Sequence, residues 1–146
     1  MASIDKNRLA VIGFSHGGTT ALSAWRTAAQ HPDTPLRAVI AFYPGCRDVR
    51  VLPTRTPLLI LIGDKDDWTP AEGCRQFAAS TRAAGRPVTL VVYPDAQHHF
   101  DGAHLKERRV IAAAKGGQGA TIEYNAAAHA DAEKQVKQFL AAHLTP

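Results

Sequence analysis

The sequence predicts an α/β fold, a parallel sheet of about four strands with flanking helices, and three observations carry that expectation. Four short runs, residues 9–14, 36–43, 57–62 and 88–93, are nearly continuous in apolar side chains. Strands buried on both faces read this way, without the polar alternation of a sheet that faces water on one side. Segments of helical period follow the first, third and last of these runs, and strand–helix alternation implies parallel neighbours joined by right-handed crossovers. A composition that is 45% hydrophobic and 21% charged fits a globular chain rather than a disordered one.

The first strand, residues 9–14, runs directly into Gly13-Phe14-Ser15-His16-Gly17, and from Gly17 to Gln30 the apolar residues Ala21, Leu22 and Trp25 fall at helical spacing. The second strand, 36–43, is stopped by Pro44-Gly45; residues 44–56 carry little helical pattern. The third, 57–62, is stopped by Gly63-Asp64. Thr69-Pro70-Ala71-Glu72 then reads as a capping box, with Thr69 as N-cap, Pro70 in the first helical position and Glu72 reaching back. That helix is expected to run to about Ala84 and to end at Gly85. The fourth strand is 88–93. Lys115-Gly116-Gly117-Gln118-Gly119 lacks the ending of a phosphate loop and a strand before it, so it reads as a flexible loop. The last helix covers about 126–143, with Ala132, Val136, Phe139, Leu140 and Leu144 as its apolar stripe.

Charge and composition argue against several classes of function. The net charge of +4 is spread over scattered basic residues with no interleaved stacking aromatics, so no nucleic-acid partner is expected. No apolar stretch approaches the roughly 18 residues of a membrane span, and the polar start Met1-Ala2-Ser3-Ile4-Asp5-Lys6 lacks the apolar core of a signal peptide. The expectation is a soluble chain, cytoplasmic by default, with no membrane partner. No G-x-G-x-x-G or Walker pattern follows a strand, which disfavours a nucleotide-binding module. The spacing of His98, His99, Asp101 and His104 matches no recognised zinc pattern, so the reading calls for neither metal nor organic cofactor.

The chemistry-bearing residues lie where a parallel sheet concentrates them, after the carboxyl ends of its strands. Ser15 follows the first strand in a G-x-S-x-G turn; Asp64, Asp66 and Asp67 follow the third; His98 and His99 follow the fourth. A serine at a sharp strand-to-helix turn presents its hydroxyl above the sheet, with glycines permitting close backbone approach. The order serine, aspartate, histidine is that of an acyl-transferring triad. Serine needs a base to remove its proton, histidine supplies one near neutral pH, and a carboxylate fixes the imidazole tautomer. The backbone N–H of His16, at a helix start, is placed to donate to an oxyanion.

These residues carry a resemblance to the dienelactone hydrolase family of the α/β-hydrolase superfamily. It rests on Gly13-Phe14-Ser15-His16-Gly17-Gly18, on the loop from Gly63 through Asp66-Asp67-Trp68-Thr69-Pro70, and on Tyr93-Pro94 with Ala96, His98 and Phe100-Asp101. Together with the intervening strands it extends over nearly the whole chain. By similarity, Asp66 is the acid and His98 the base, although Asp64, Asp67 and His99 compete for those roles on sequence grounds. Many members carry cysteine as nucleophile; serine here leans toward the esterase-like ones. The resemblance implies a serine hydrolase acting on small carboxylic esters or lactones through an acyl-enzyme on Ser15, with His16 N–H helping to bind the oxyanion.

The departure from the family is one of extent. Only eight residues precede Leu9, whereas the family carries further strands ahead of the elbow, together with the loop that supplies a second oxyanion donor. The chain is therefore expected to be one α/β-hydrolase-like domain, 1–146, that resembles a C-terminal half. Its first strand is expected at an open, apolar sheet edge, and such edges associate. A homodimer follows as an expectation, and with it the alternative of a truncated or non-catalytic homologue that self-associates and turns over poorly. Cys46, after the second strand, and Cys74, early in the second helix, fall near one sheet edge; a bridge and a pair of packed thiols both remain open. A bridge would suggest an oxidising compartment for an exported parent.

Overall fold

The structure, a computed structural model, describes residues 4–47 and 54–145. Its main sheet has four parallel strands in the order β1 (Leu9–Phe14), β2 (Leu36–Phe42), β3 (Leu58–Gly63) and β4 (Val88–Tyr93). Every residue of β3 is buried, and β2 is buried from Ala38 onward, which is why these runs lack polar alternation. Along β1, by contrast, Ile12 and Phe14 are exposed, because β1 is an edge strand of this sheet. The expected fold class and all four strands are present, with strand bounds shifted by at most one residue.

Helices cover both faces. Helix α1 (His16–Thr27), continued by a 3-10 turn (Ala28–Gln30), packs on β1 and β2, and α2 (Ala71–Ala83) packs on β3 and β4. Their apolar stripes meet where the rings of Trp25 and Phe77 pack edge to face at 5.7 Å. Trp25 is fully buried, and its indole N–H donates to the Thr56 carbonyl at 2.8 Å. Helix α4 (Ala126–Leu144) packs on β1 and β2 from the other side. Successive strand residues point to opposite faces. Gly13 abuts α1, while its neighbours Ile12 and Phe14 line a groove with Ala132 and Val136 of α4. Among the described residues no helix is long and apolar enough to cross a membrane.

Two expectations are corrected and one element that the sequence does not announce is added. The capping box does not form: Pro70 is the N-cap of α2, no side chain caps it, and Glu72 accepts a hydrogen bond from Gln76 at 2.9 Å. The Thr69 hydroxyl is turned instead toward Asp66 and the carbonyl of Tyr43, where the buried carboxylate is a strong acceptor for its proton. Second, a two-stranded antiparallel ribbon, β5 (Arg109–Ile111) and β6 (Ala120–Ile122), is not evident in the sequence. Third, the expected flexible loop at 115–119 is part of the tight link between those strands: a one-turn segment, α3 (Ala114–Gly117), with left-handed backbone at Lys115 and Gly116. Residues 48–53 of the connection between β2 and β3, for which the sequence suggests no element, lie outside the described residues.

Cys46 and Cys74 form a disulfide, with Cα atoms 4.9 Å apart and 28 residues of separation. It ties the segment after β2 to the first turns of α2. Loop closure of this length contributes roughly 3–4 kcal/mol. Replacing both cysteines by serine is therefore expected to lower stability to urea by about 3 kcal/mol. Intact-mass measurement after alkylation, with and without reductant, checks the bridge itself; two alkylated thiols in the unreduced protein contradict it.

Candidate active site

The carboxyl ends of β1, β3 and β4 bring three side chains into one line. Ser15 Oγ lies 2.8 Å from His98 Nε2, and His98 Nδ1 lies 2.7 Å from Asp66 Oδ2. The Asp66 side chain is wholly buried and that of His98 nearly so. An ionised carboxylate offers only lone pairs, so Nδ1 carries the imidazole proton and Nε2 is left to accept from the serine hydroxyl.

Ser15 stands at a strained turn. Its φ of 53° is a left-handed value, rare outside glycine and costing about 1–3 kcal/mol. Two close contacts hold the turn in place. A Cβ on Gly13 would lie 2.0 Å from the Gly17 carbonyl oxygen, and one on Gly18 would lie 2.7 Å from that of Phe42. Only hydrogen at these two positions lets α1 start directly over the end of β1. The Ser15 N–H donates to Phe42 O at 3.0 Å, which ties the turn to β2. His16, the first residue of α1, is exposed.

The acid loop is organised around Asp66. Its Oδ1 accepts from the backbone N–H groups of Trp68 and Thr69, at 2.9 and 2.8 Å; its Oδ2 faces His98 Nδ1 and, at 3.0 Å, the Thr69 hydroxyl. Asp64 is exposed. Asp67 turns the other way and holds the N–H and hydroxyl of Thr121 in β6, at 2.8 and 2.9 Å. The same ribbon supports the histidine loop, where Glu123 N–H donates to His98 O. Gly63 packs against Ala96, where a Cβ would lie 2.1 Å from the carbonyl oxygen, so the acid and histidine loops run in close contact.

Aromatic side chains enclose the imidazole. The ring of Tyr43 is 4.6 Å from that of His98, and Trp68 is 5.0 Å away on a tilted approach. Tyr43 itself has a φ of 35°, is buried, and donates its hydroxyl to Asp101 at 2.7 Å. Burial, reinforced by Asp101, pushes its phenol far above the ordinary tyrosine range, so it remains a donor. His99, the competing base, also has positive φ, lies 5.7 Å ring to ring from Tyr43, and is held below the ordinary histidine value chiefly by burial. Tyr43 and its bond to Asp101 escape sequence reasoning because a tyrosine ending an apolar strand looks like core. A cleft of about 600 Å³ runs beside the acid loop along Thr19, Gly45, Trp68 and Thr69. A cavity of similar size, about 610 Å³, lies at the other end of the strands beside Leu36 and Pro57, where no nucleophile and base meet.

The profile of the dienelactone hydrolase family matches residues 1–144. The chain belongs to that family. Among curated family relatives, a Yersinia pestis protein that carries the name carboxymethylenebutenolidase is 30% identical over 125 residues, covering 78% of this chain and 45% of its own length. A Bradyrhizobium protein named as a 2-oxo-3-(5-oxofuran-2-ylidene)propanoate lactonase is 28% identical over 118 residues, covering 77% of this chain and 48% of its own. The chain thus spans a little under half the length of these relatives. A solved structure from Klebsiella pneumoniae, named as a dienelactone hydrolase, superposes over 94% of this chain and 53% of its own with a TM-score of 0.71 at 22% identity, which establishes the shared dienelactone hydrolase fold.

Two glycines of the elbow are expected to respond oppositely to alanine. Gly13→Ala places its methyl against backbone that has no room to move and should cost roughly 3 kcal/mol or more. At Gly17, in the first turn of α1, a Cβ meets nothing within 4 Å, so Gly17→Ala should gain about 0.5–1 kcal/mol. Urea denaturation of the two variants measures both signs.

Proposed function

We propose that this chain carries the catalytic half of a serine hydrolase that cleaves small carboxylic esters or lactones. The observation that supports the reading most directly is the unbroken contact from Ser15 Oγ through His98 to a buried Asp66. In this reading Ser15 Oγ attacks the substrate carbonyl carbon while its proton passes to His98 Nε2. The tetrahedral oxyanion is received by the backbone N–H of His16 at the start of α1. Collapse expels the alcohol, which takes the proton from His98 and leaves an acyl-enzyme on Ser15. Water, deprotonated by the same imidazole, attacks the ester carbonyl; collapse releases the acid and returns the proton to Ser15. Asp66 holds the tautomer and offsets the imidazolium charge throughout. Ester and lactone substrates agree with the names borne by the relatives; the reaction needs no metal or organic cofactor.

A second reading rests on a different observation. Among the described residues no strand pairs with the outer edge of β1, and Ile12 and Phe14 lie exposed along it, beside the α4 groove of about 260 Å³. Unpaired N–H and C=O groups next to apolar surface favour association. We propose that the chain forms a homodimer through this edge; dimerisation with poor turnover would mark a non-catalytic homologue that self-associates.

Three measurements test these readings. Wild-type protein should hydrolyse a short activated aryl ester, Ser15→Ala should leave only background, and an organophosphonate should label Ser15 alone; equal hydrolysis by both proteins contradicts the acyl-enzyme. His98→Ala should lose nearly all Ser15-dependent turnover while His99→Ala keeps most. Asp66→Asn should lose about 10³–10⁴-fold, far more than Asp64→Asn or Asp67→Asn. For the edge, sedimentation should show a dimer at micromolar concentration that Ile12→Lys converts to folded monomer. A compact wild-type monomer contradicts self-association.

A further inference from the structure

We infer that the hydroxyl of Thr69 is a positioning group for the acid of the site, sharing Asp66 Oδ2 with His98. The inference deepens the hydrolase reading above and rests on it. Thr69 Oγ1 stands 3.0 Å from Asp66 Oδ2, 3.0 Å from the carbonyl oxygen of Tyr43 and 3.3 Å from His98 Nδ1. The hydroxyl has one proton and two acceptors in reach; the carboxylate, being charged, is the stronger. With this proton on Oδ2, Asp66 has four donors around its two oxygens, two on each.

That count matters because the carboxylate is wholly buried. A carboxylate oxygen that faces a single donor swings toward it freely, whereas one that faces two from different directions is fixed between them. The Thr69 hydroxyl approaches from the acid loop and His98 from the loop after β4, so the pair sets where Oδ2 sits and therefore where the imidazole points. The Tyr43 carbonyl on the far side of Thr69 Oγ1 belongs to a residue with φ of 35°, whose own ring packs on His98. Thr69 Oγ1 thus lies between the ends of β2 and β3, at the point where the imidazole is aimed, with its proton on the carboxylate. The same orientation turns the threonine that the sequence offers for capping away from the first turn of α2, whose N-cap is Pro70.

The test compares Thr69→Val, which keeps shape and removes the hydroxyl, with Thr69→Ser, which keeps the hydroxyl. Thr69→Val should lower kcat for an activated ester about 10- to 100-fold, the worth of a hydrogen bond to a charged group, with KM little changed. Thr69→Ser should remain within about threefold of wild type, since it retains that hydrogen bond. In an Asp66→Asn background, Thr69→Val should add nothing further, because the hydroxyl acts through the carboxylate. The downfield proton resonance of His98 Nδ1–H, read by NMR, should shift in Thr69→Val and return in Thr69→Ser. Wild-type kcat and resonance in Thr69→Val overturn the inference, as does equal damage from serine and valine, which would mark a packing role. If the resonance behaves as stated but no variant shows Ser15-dependent hydrolysis, the positioning stands and the hydrolase reading falls. If Thr69→Val does not fold, Thr69→Ser and the resonance decide.

Discussion

A carboxylate removed from water must find hydrogen-bond donors, and the arrangement at this sheet edge follows from meeting that demand for Asp66. Burying such a group without partners costs several kcal/mol or more. The tight turn after Gly63 points two backbone N–H groups at one oxygen, and Thr69 and His98 flank the other. The N–H groups shape the acid loop, the threonine fixes the second oxygen from within that loop, and the imidazole draws in the loop after β4. The neighbouring Asp67 repeats the device at longer range by gripping Thr121, which brings the β5–β6 ribbon up behind His98. One carboxylate orients the imidazole and the next orients the wall that supports it.

Strain at Ser15 and Tyr43 becomes intelligible against that rigidity. Both residues hold left-handed backbone at the carboxyl ends of adjacent parallel strands, and both are restrained by neighbours that have little freedom. Ser15 is fixed by the glycine-mediated contact of α1 with β1 and by its hydrogen bond to Phe42 O. Tyr43 is fixed at two points: its N–H donates to Leu61 O and its hydroxyl donates to Asp101. Unfavourable conformations persist where the surroundings over-determine them. Here they aim one hydroxyl at the imidazole and pack one ring against it.

The sheet was legible in the sequence because burial on both faces leaves a simple mark, an apolar run of strand length ended by glycine or proline. Position along the chain brought Ser15, the aspartates Asp64, Asp66 and Asp67 and the histidines His98 and His99 to one sheet edge, because a parallel sheet gathers its strand ends there; the choice of Asp66 and His98 among them came from the family resemblance. What could not be read depends on competition between local and distant partners. Thr69 satisfies every local rule for a helix cap, yet a buried carboxylate three residues before it captures the hydroxyl. The β5–β6 ribbon gave no signal because each strand has three residues and Val110 points into solvent, leaving no apolar pattern to detect. The pairing of Tyr43 with Asp101 was silent for a related reason: it spans 58 residues and joins types that are ordinary in a strand end and a loop.

Order in this molecule is distributed unevenly across the sheet, and that unevenness bears on how the proposed chemistry is organised. The groups of the proton relay come from the ends of β1, β3 and β4, and their supports come from β2, α2 and the β5–β6 ribbon, all within the described residues. On the β1 side the pattern reverses: Phe14, adjacent to the nucleophile, stacks on Phe42 at 4.6 Å with one flank open, and Ile12 follows it along the free edge. In the proposed chemistry, proton transfer uses the supported side, where each group is held by several hydrogen bonds, and substrate enclosure falls to the open side, where surface is apolar and unpaired. Covering the β1 edge would therefore alter KM while leaving the Ser15–His98–Asp66 geometry as it stands, since no hydrogen bond in that line passes through the outer edge of β1.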